Sequence, residues 1–168
     1  MTRGWAAAGS ALFFVLAPGV VVGLVPFWLT GWHMAGAFAM WLPLRLLGAL
    51  LTAAGAAVLV SAFVRFVVEG IGTPAPVAPP QHLVVGGLYR FVRNPMYVAV
   101  IAAIAGQALL LWQHALLVYA LVVGGAMMAF VHFYEEPNLV ERFGSEYAAY
   151  RKAVPGWWPR LRPWSPPS

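Results

Sequence analysis

Four apolar runs, each nearly free of charge, constrain this chain more than any other feature in it. They extend roughly from Trp5 to Leu29, Leu44 to Val68, Met96 to Leu111 and Ala115 to Tyr134. A helix needs about 20 apolar residues to cross about 30 Å of hydrocarbon, and each run reaches or approaches that length. Inside hydrocarbon the backbone N–H and C=O groups must be satisfied within the segment, and runs of this kind do so as helices. The expected fold is therefore all-α, an integral membrane bundle of about four transmembrane helices. Composition agrees. Of 168 residues 62% are hydrophobic and 9% charged, with a mean hydropathy of +0.79, whereas a soluble domain carries roughly a quarter charged residues.

The segments between the runs give the organisation. Only Trp112-Gln113-His114 separates the third run from the fourth, which predicts a tight antiparallel hairpin. The chain divides, as a single domain, into two N-terminal spans (1–68), a cytoplasmic loop (69–94), the hairpin (95–134) and a cytoplasmic C-terminal segment (135–168). Trp5, Trp28, Trp32, Trp41 and Trp112 fall at span ends, as an aromatic belt requires. Trp157, Trp158 and Trp164 are expected against the membrane surface. Arg3, Arg65, Arg90, Arg93, Arg142, Arg151, Lys152, Arg160 and Arg162 fall on one side and Arg45 on the other. By the positive-inside rule both termini are cytoplasmic. The net charge of +5 is thereby explained by orientation and anionic headgroups, and no basic run resembles a nucleic-acid patch. The chain is short and lacks eukaryotic sorting signals, which points to a prokaryotic plasma membrane.

Small residues recur at helix-packing spacing: Gly48, Thr52 and Ala56; Ala99, Ala103 and Gly106; Gly125 and Ala129. Pro18 and Pro26 are expected to kink the first helix, with neighbours satisfying the freed carbonyls. The absence of cysteine excludes disulfides, thiolate metal sites and a cysteine nucleophile, and no metal site is expected.

Polar, charged and aromatic residues gather at the two outer ends of the hairpin. Gly70 to Pro80 carries four prolines, Pro74, Pro76, Pro79 and Pro80, and reads as an extended strap, either a linker or the wall of a site. Gly86-Gly87 permits a tight turn, and His82 reads either as a surface histidine or as a ligand contact. Asn94 suits an N-cap and Pro95 the first helical turn. Tyr89, Arg90, Arg93 and Tyr97 are crowded at that boundary. Glu135-Glu136 ends the fourth run and needs a partner, with Arg93 or Arg90 the natural one. Leu139, Phe143, Tyr147 and Tyr150 then mark an amphipathic C-terminal helix, lying on the membrane or packed back on the bundle.

From about His82 to Arg160 these residues resemble the isoprenylcysteine carboxyl methyltransferase family and its phospholipid methyltransferase relatives. Leu83, Val84, Gly87, Tyr89, Arg93, Pro95 and Tyr97 match the family's first motif. Glu135, Glu136, Leu139, Phe143, Gly144, Tyr147, Tyr150, Val154 and Pro155 match its second. The resemblance implies a membrane methyltransferase that uses S-adenosylmethionine in a cytoplasm-facing pocket. Carried over by position, the cofactor contacts are Gln81, His82, Leu83, Val84, Tyr89, Asn94, Pro95, Met96, Tyr97 and Glu135. Arg93, Glu136 and His132 are the candidate catalytic residues, Glu136 and His132 as bases for an amine.

Two departures stand out. Asn94 replaces the motif histidine, and Val131 occupies the position of an arginine tied to the substrate carboxylate in the prenylcysteine enzymes. An apolar residue cannot pair a carboxylate, so the second departure bears on the acceptor. The leading expectation is methylation of a lipophilic acceptor entering from the bilayer, on a carboxyl oxygen as in the isoprenylcysteine enzymes. Amine- or thiol-directed methylation, and a non-catalytic membrane scaffold or carrier of the same fold, remain alternatives. The expected partners are membrane lipids and a lipophilic or lipidated acceptor. Oligomeric state is left open.

Overall fold

The computed structural model describes residues 16–35, 42–70 and 82–165. Among these, all regular structure is helical and no strand occurs. The helices are α1 (Leu16–Thr30), α2 (Leu42–Gly70), α3 (Pro95–Leu111), α4 (His114–Phe130) and α5 (Glu136–Ala153), with a 3₁₀ turn at Gly87–Arg90. A π-helical turn, Val131–Glu135, makes α4 and α5 continuous. Arg3, Trp5, Trp41, Gln81 and the proline-rich strap from Ile71 to Pro80 lie outside the described residues.

Two described helices are long and apolar enough to cross a membrane: α2 over Leu42–Ala62, and α4 with its continuation. α1 and α3 are apolar but shorter. Their outer faces are apolar as well. Leu46, Leu50, Val60 and Val64 on α2, and Leu117, Val118, Leu121 and Val122 on α4, are all exposed. Such a continuous apolar surface is what lipid covers and water does not.

Small side chains bring α2 and α3 into backbone contact. A Cβ on Gly106 would lie 2.5 Å from Thr52 Oγ1 and 2.6 Å from the Thr52 backbone nitrogen. On Gly55 it would lie 2.8 Å from the Ala99 carbonyl, and on Gly48 it would strike the backbone at Leu110 and Gly106. The α2 stripe thus runs through Gly48, Thr52 and Gly55. Ala56, expected in it, is exposed, one residue out of phase. On α4 the expected pair Gly125 and Ala129 is exposed too, and Gly124 instead packs on Ile101.

Prolines shape the remaining geometry. Pro26 cannot donate a helical hydrogen bond, and the turn before it is wound as a π-helix, Gly19–Leu24, in which Val25 donates to the Val20 carbonyl. The neighbouring carbonyls are satisfied from other helices. Gln107 Nε2 donates to the Val22 oxygen (2.8 Å) and the Tyr119 hydroxyl to the Val21 oxygen (3.0 Å). Pro137 stands in the same relation to the second π-turn, where Glu136 donates to the Val131 carbonyl. At the other end of the bundle the hairpin closes in two residues. Trp112 takes a left-handed conformation, Gln113 caps the next helix, and His114 is already helical where a loop residue was expected.

Replacing Gly106 by alanine should cost about 1–3 kcal/mol of stability through overpacking against a backbone that cannot yield. Gly125→Ala meets nothing within 4 Å and should be silent. Thermal unfolding in detergent distinguishes the two.

Candidate active site

The site is built where the segment before α3 meets the α4–α5 junction. Val84 and Tyr89 pack against Ala62 on α2 and fasten that segment to the bundle. Gly87 takes φ +56° beneath the stem of Arg65, where a Cβ would sit 3.1–3.4 Å from Arg65 side-chain atoms. This accounts for glycine at the turn that delivers Tyr89 and Arg90. Pro95 opens α3 as expected. Asn94 takes the N-cap position without a side-chain cap, so its amide is left for another use.

The two glutamates reach different partners. Glu135 Oε2 accepts from the Tyr97 hydroxyl (2.8 Å). Glu136 Oε1 accepts from Arg93 Nη1 (2.7 Å), and its other oxygen lies 3.1 Å from Arg151 Nη2. Arg93 Nη1 also donates to the Tyr147 hydroxyl (2.9 Å). Of the two arginines expected as partners, Arg93 takes the role, while Arg90 bonds the Trp164 carbonyl (2.6 Å) and Ser165 Oγ (2.7 Å).

α5 turns back onto the site because Gly144 breaks the helix with φ +48°. Beyond that kink Tyr147 and Tyr150 are buried with Leu83, Val85 and Leu139. The Tyr150 hydroxyl donates to the Tyr89 carbonyl (2.6 Å), which clamps the segment before α3 to α5. Burial raises the hydroxyls of both tyrosines above the ordinary phenol range, so each remains a protonated donor. The residues after α5 run beside Arg90–Asn94. The Arg93 and Asn94 amides donate to the Pro155 (2.9 Å) and Gly156 (3.2 Å) carbonyls, and those of Arg160 and Trp164 to Phe91 (2.9 Å) and Arg90 (3.0 Å). Trp157 lies 6.4 Å from the Tyr97 ring and Trp164 5.3 Å from the Tyr150 ring. Of the three tail tryptophans expected on the membrane surface, these two turn inward and only Trp158 is exposed.

These elements enclose a cavity of about 50 Å³ lined by Leu83, Val84, Tyr89, Arg93, Asn94, Glu135, Leu139, Tyr147 and Tyr150. Buried in its wall are two donors with no hydrogen-bond partner, Asn94 Nδ2 and Arg93 Nε. Stranding such donors is costly unless a ligand meets them. Of the residues predicted for the cofactor, Leu83, Val84, Tyr89, Asn94 and Glu135 line the cavity, and Tyr97 reaches it through Glu135. Pro95 is buried as the first residue of α3, Met96 packs into the bundle core, and His82 is exposed. Among the catalytic candidates Arg93 lines the cavity, Glu136 is engaged by two guanidinium groups, and His132 is exposed beside the Phe133 ring. Tyr147, Tyr150 and Arg151 were not expected at the site. Their helical spacing reads as packing, and the kink that aims them depends on one glycine. Arg93→Ala should cost about 2–3 kcal/mol, the scale of a hydrogen bond to a charged group left without its donor. Arg151→Ala, with half its side chain in solvent, should cost less than about 1 kcal/mol. Thermal unfolding of the two variants measures the difference.

Comparison with known proteins places this sequence in a family. A stretch of 66 residues, 39% of this chain, is 32% identical to a phosphatidylethanolamine N-methyltransferase of Pyrenophora tritici-repentis. A stretch of the same length is 36% identical to the protein of that name from Podospora anserina. The matched stretch spans 7% of the length of each of these relatives. The family model described as phospholipid methyltransferase matches residues 44–146, more than half of the chain, from α2 across the hairpin to both glutamates and into α5. The chain belongs to the phospholipid methyltransferase family.

Proposed function

We propose that this chain is an integral membrane methyltransferase that takes its methyl group from S-adenosylmethionine and transfers it to the amine of an ethanolamine-type phospholipid. The observation that carries this reading is the cavity at the end of the apolar hairpin. Asn94 and Arg93, whose Nδ2 and Nε are buried without a hydrogen-bond partner, line it together with Glu135. That donor set suits a cofactor with a carboxylate, hydroxyls and a purine. Asn94 and Arg93 would meet carboxylate oxygens, Glu135 would accept from hydroxyls or an ammonium, and Leu83 and Val84 would flank the base. The cofactor supplies a methyl group already activated on a sulfonium sulfur. The chain's residues would orient it and keep water out, so that the nucleophile, methyl carbon and leaving sulfur fall in line.

Two features favour nitrogen as the acceptor atom over the carboxyl oxygen of the isoprenylcysteine enzymes. The curated relatives are named for phosphatidylethanolamine N-methylation, and the buried side chain at position 131 is valine, which offers a carboxylate nothing. Before attack a lipid ammonium must shed a proton. His132, open to solvent at the α4–α5 junction, is our candidate acceptor for it, since both oxygens of Glu136 are held by arginines.

We read the chain as one domain with four spans (α1, α2, α3 and α4), a cytoplasmic amphipathic α5 and cytoplasmic termini. Arg45 and Arg65 near opposite ends of α2 lie about 30 Å apart along its axis, which matches one hydrocarbon thickness.

Calorimetric titration of the detergent-purified protein with S-adenosylhomocysteine should give micromolar binding that Glu135→Ala abolishes. Labelled S-adenosylmethionine with phosphatidylethanolamine vesicles should yield label in an N-methylated headgroup. Cofactor binding accompanied by a base-labile methyl ester would move the acceptor back to a carboxylate, and a folded protein that binds no cofactor would favour the scaffold or carrier. Pro137→Ala restores a backbone donor after the π-turn. It should weaken S-adenosylhomocysteine binding about tenfold, roughly one hydrogen bond's worth, while the unfolding temperature is unchanged or rises.

A further inference from the structure

We propose that the strap after α5, residues 154–165, is a preformed docking surface for anionic lipid, with Trp158 and Leu161 entering the headgroup layer and Lys152 and Arg162 meeting its charge. The strap has two faces. Trp157 and Trp164 turn inward onto Tyr97 and Tyr150, whereas Trp158 is 81% and Leu161 98% exposed. An exposed tryptophan and leucine three residues apart, on a segment with no helix of its own to bury them, leave apolar surface open to a partner.

The strap is also held in shape before any partner arrives. Four backbone hydrogen bonds tie it to Arg90–Asn94, Arg90 bonds the Trp164 carbonyl, and Arg160 Nη1 bonds the Ala153 carbonyl. Pro155, Pro159 and Pro163 restrict what freedom remains. A rigid segment loses little entropy on docking, so its apolar side chains can spend their burial on affinity.

Charge selects the partner. From Tyr147 to the last residue the sequence holds Arg151, Lys152, Arg160 and Arg162 and no acidic residue. Arg151 is engaged by Glu136 and Arg160 by the Ala153 carbonyl, while Lys152 and Arg162 are exposed. Basic side chains flanking a Trp–Leu pair match an anionic bilayer surface, with aromatic rings at headgroup depth and cations against the phosphates. The segment is joined to the end of an apolar hairpin, so that surface is within its reach. The proposal rests on the membrane placement of the hairpin and not on the methyl-transfer reaction.

The chain has no cysteine, so Leu161→Cys creates a single labelling site at a side chain that touches nothing. A nitroxide there, in vesicles of phosphatidylcholine with phosphatidylglycerol, should be severalfold more accessible to oxygen than to a water-soluble nickel chelate. Omitting phosphatidylglycerol should shrink that preference, as should a K152Q/R162Q background in mixed vesicles. A Leu121→Cys label on the exposed face of α4 reports the hairpin separately. An immersed label at 121 with chelate-accessible 161 overturns the docking surface alone, and chelate access at both overturns the membrane placement with it. Immobilisation and dipolar broadening at 161 would show that a second copy covers the patch, and would also overturn the proposal. No outcome depends on turnover.

Discussion

A bilayer offers no water to a freed backbone carbonyl, and this chain frees several by placing prolines within its helices. Much of the architecture answers that constraint. Before Pro26 the helix widens into a π-turn, and the carbonyls of Val21 and Val22 are met by Tyr119 from α4 and Gln107 from α3. Two polar side chains in otherwise apolar helices thus act as fasteners, and they settle where α1 sits. Before Pro137, at the end of the hairpin, the helix widens again, with Glu136 donating to the Val131 carbonyl. Adjacent side chains on a regular α-helix diverge by about 100°. At the wider turn Glu135 and Glu136 both reach the start of α3, one to Tyr97 and the other to Arg93. The same response to proline that seats α1 also presents the carboxylates of the site.

Arg93 then ties the site's parts together. Its backbone joins the strap, and its side chain joins the α4–α5 junction through Glu136 and the end of α5 through Tyr147. A partly buried ion pair adds little net stability, because desolvation offsets the attraction, but breaking it strands a charge. Its value here is geometric. It holds three segments, distant in sequence, around a cavity that none of them could enclose alone. The kink at Gly144 belongs to this arrangement, since a straight α5 would carry Tyr147 and Tyr150 away from Leu83 and Val85.

The helices were legible because their signals are long and local. The third run begins at Asn94-Pro95 as read, and the hairpin turn differs by one residue at His114. Six cavity residues, Leu83, Val84, Tyr89, Arg93, Asn94 and Glu135, were legible because motif spacing carries them. What was not legible depends on phase. Both π-turns shift the faces of their helices, and small-residue stripes read at every fourth position put Ala56, Gly125 and Ala129 where Gly55 and Gly124 make the contacts. Tyr147 and Tyr150 were read as packing because the stripe gives no hint that a single glycine folds it back. The inward turn of Trp157 and Trp164 was hidden for a related reason. Aromatic residues at a membrane border serve an interface or a core equally well, and only tertiary contact separates the two.

The charge balance of the cavity bears on what it can accept. Among the described residues Arg93 is the one cation lining it, and Nη1 of that side chain is already given to Glu136 and Tyr147. Nε of the same side chain is buried without a hydrogen-bond partner and would be a donor for a cofactor carboxylate. A second carboxylate from an acceptor would have to share that one guanidinium, since the side chain at position 131 is valine. Glu135 accepts a hydrogen bond from the neutral Tyr97 phenol; burial raises its carboxyl above the usual carboxylate range, and the nearby Arg93 charge opposes that rise. A group that arrives as an ammonium gains from such a site, since an opposite charge in a poorly solvated wall attracts it strongly. An acceptor that arrives as a carboxylate is repelled by the same oxygen atoms. Position 131 and the Glu135 carboxyl thus agree with the proposed acceptor, which would enter the site as a cation.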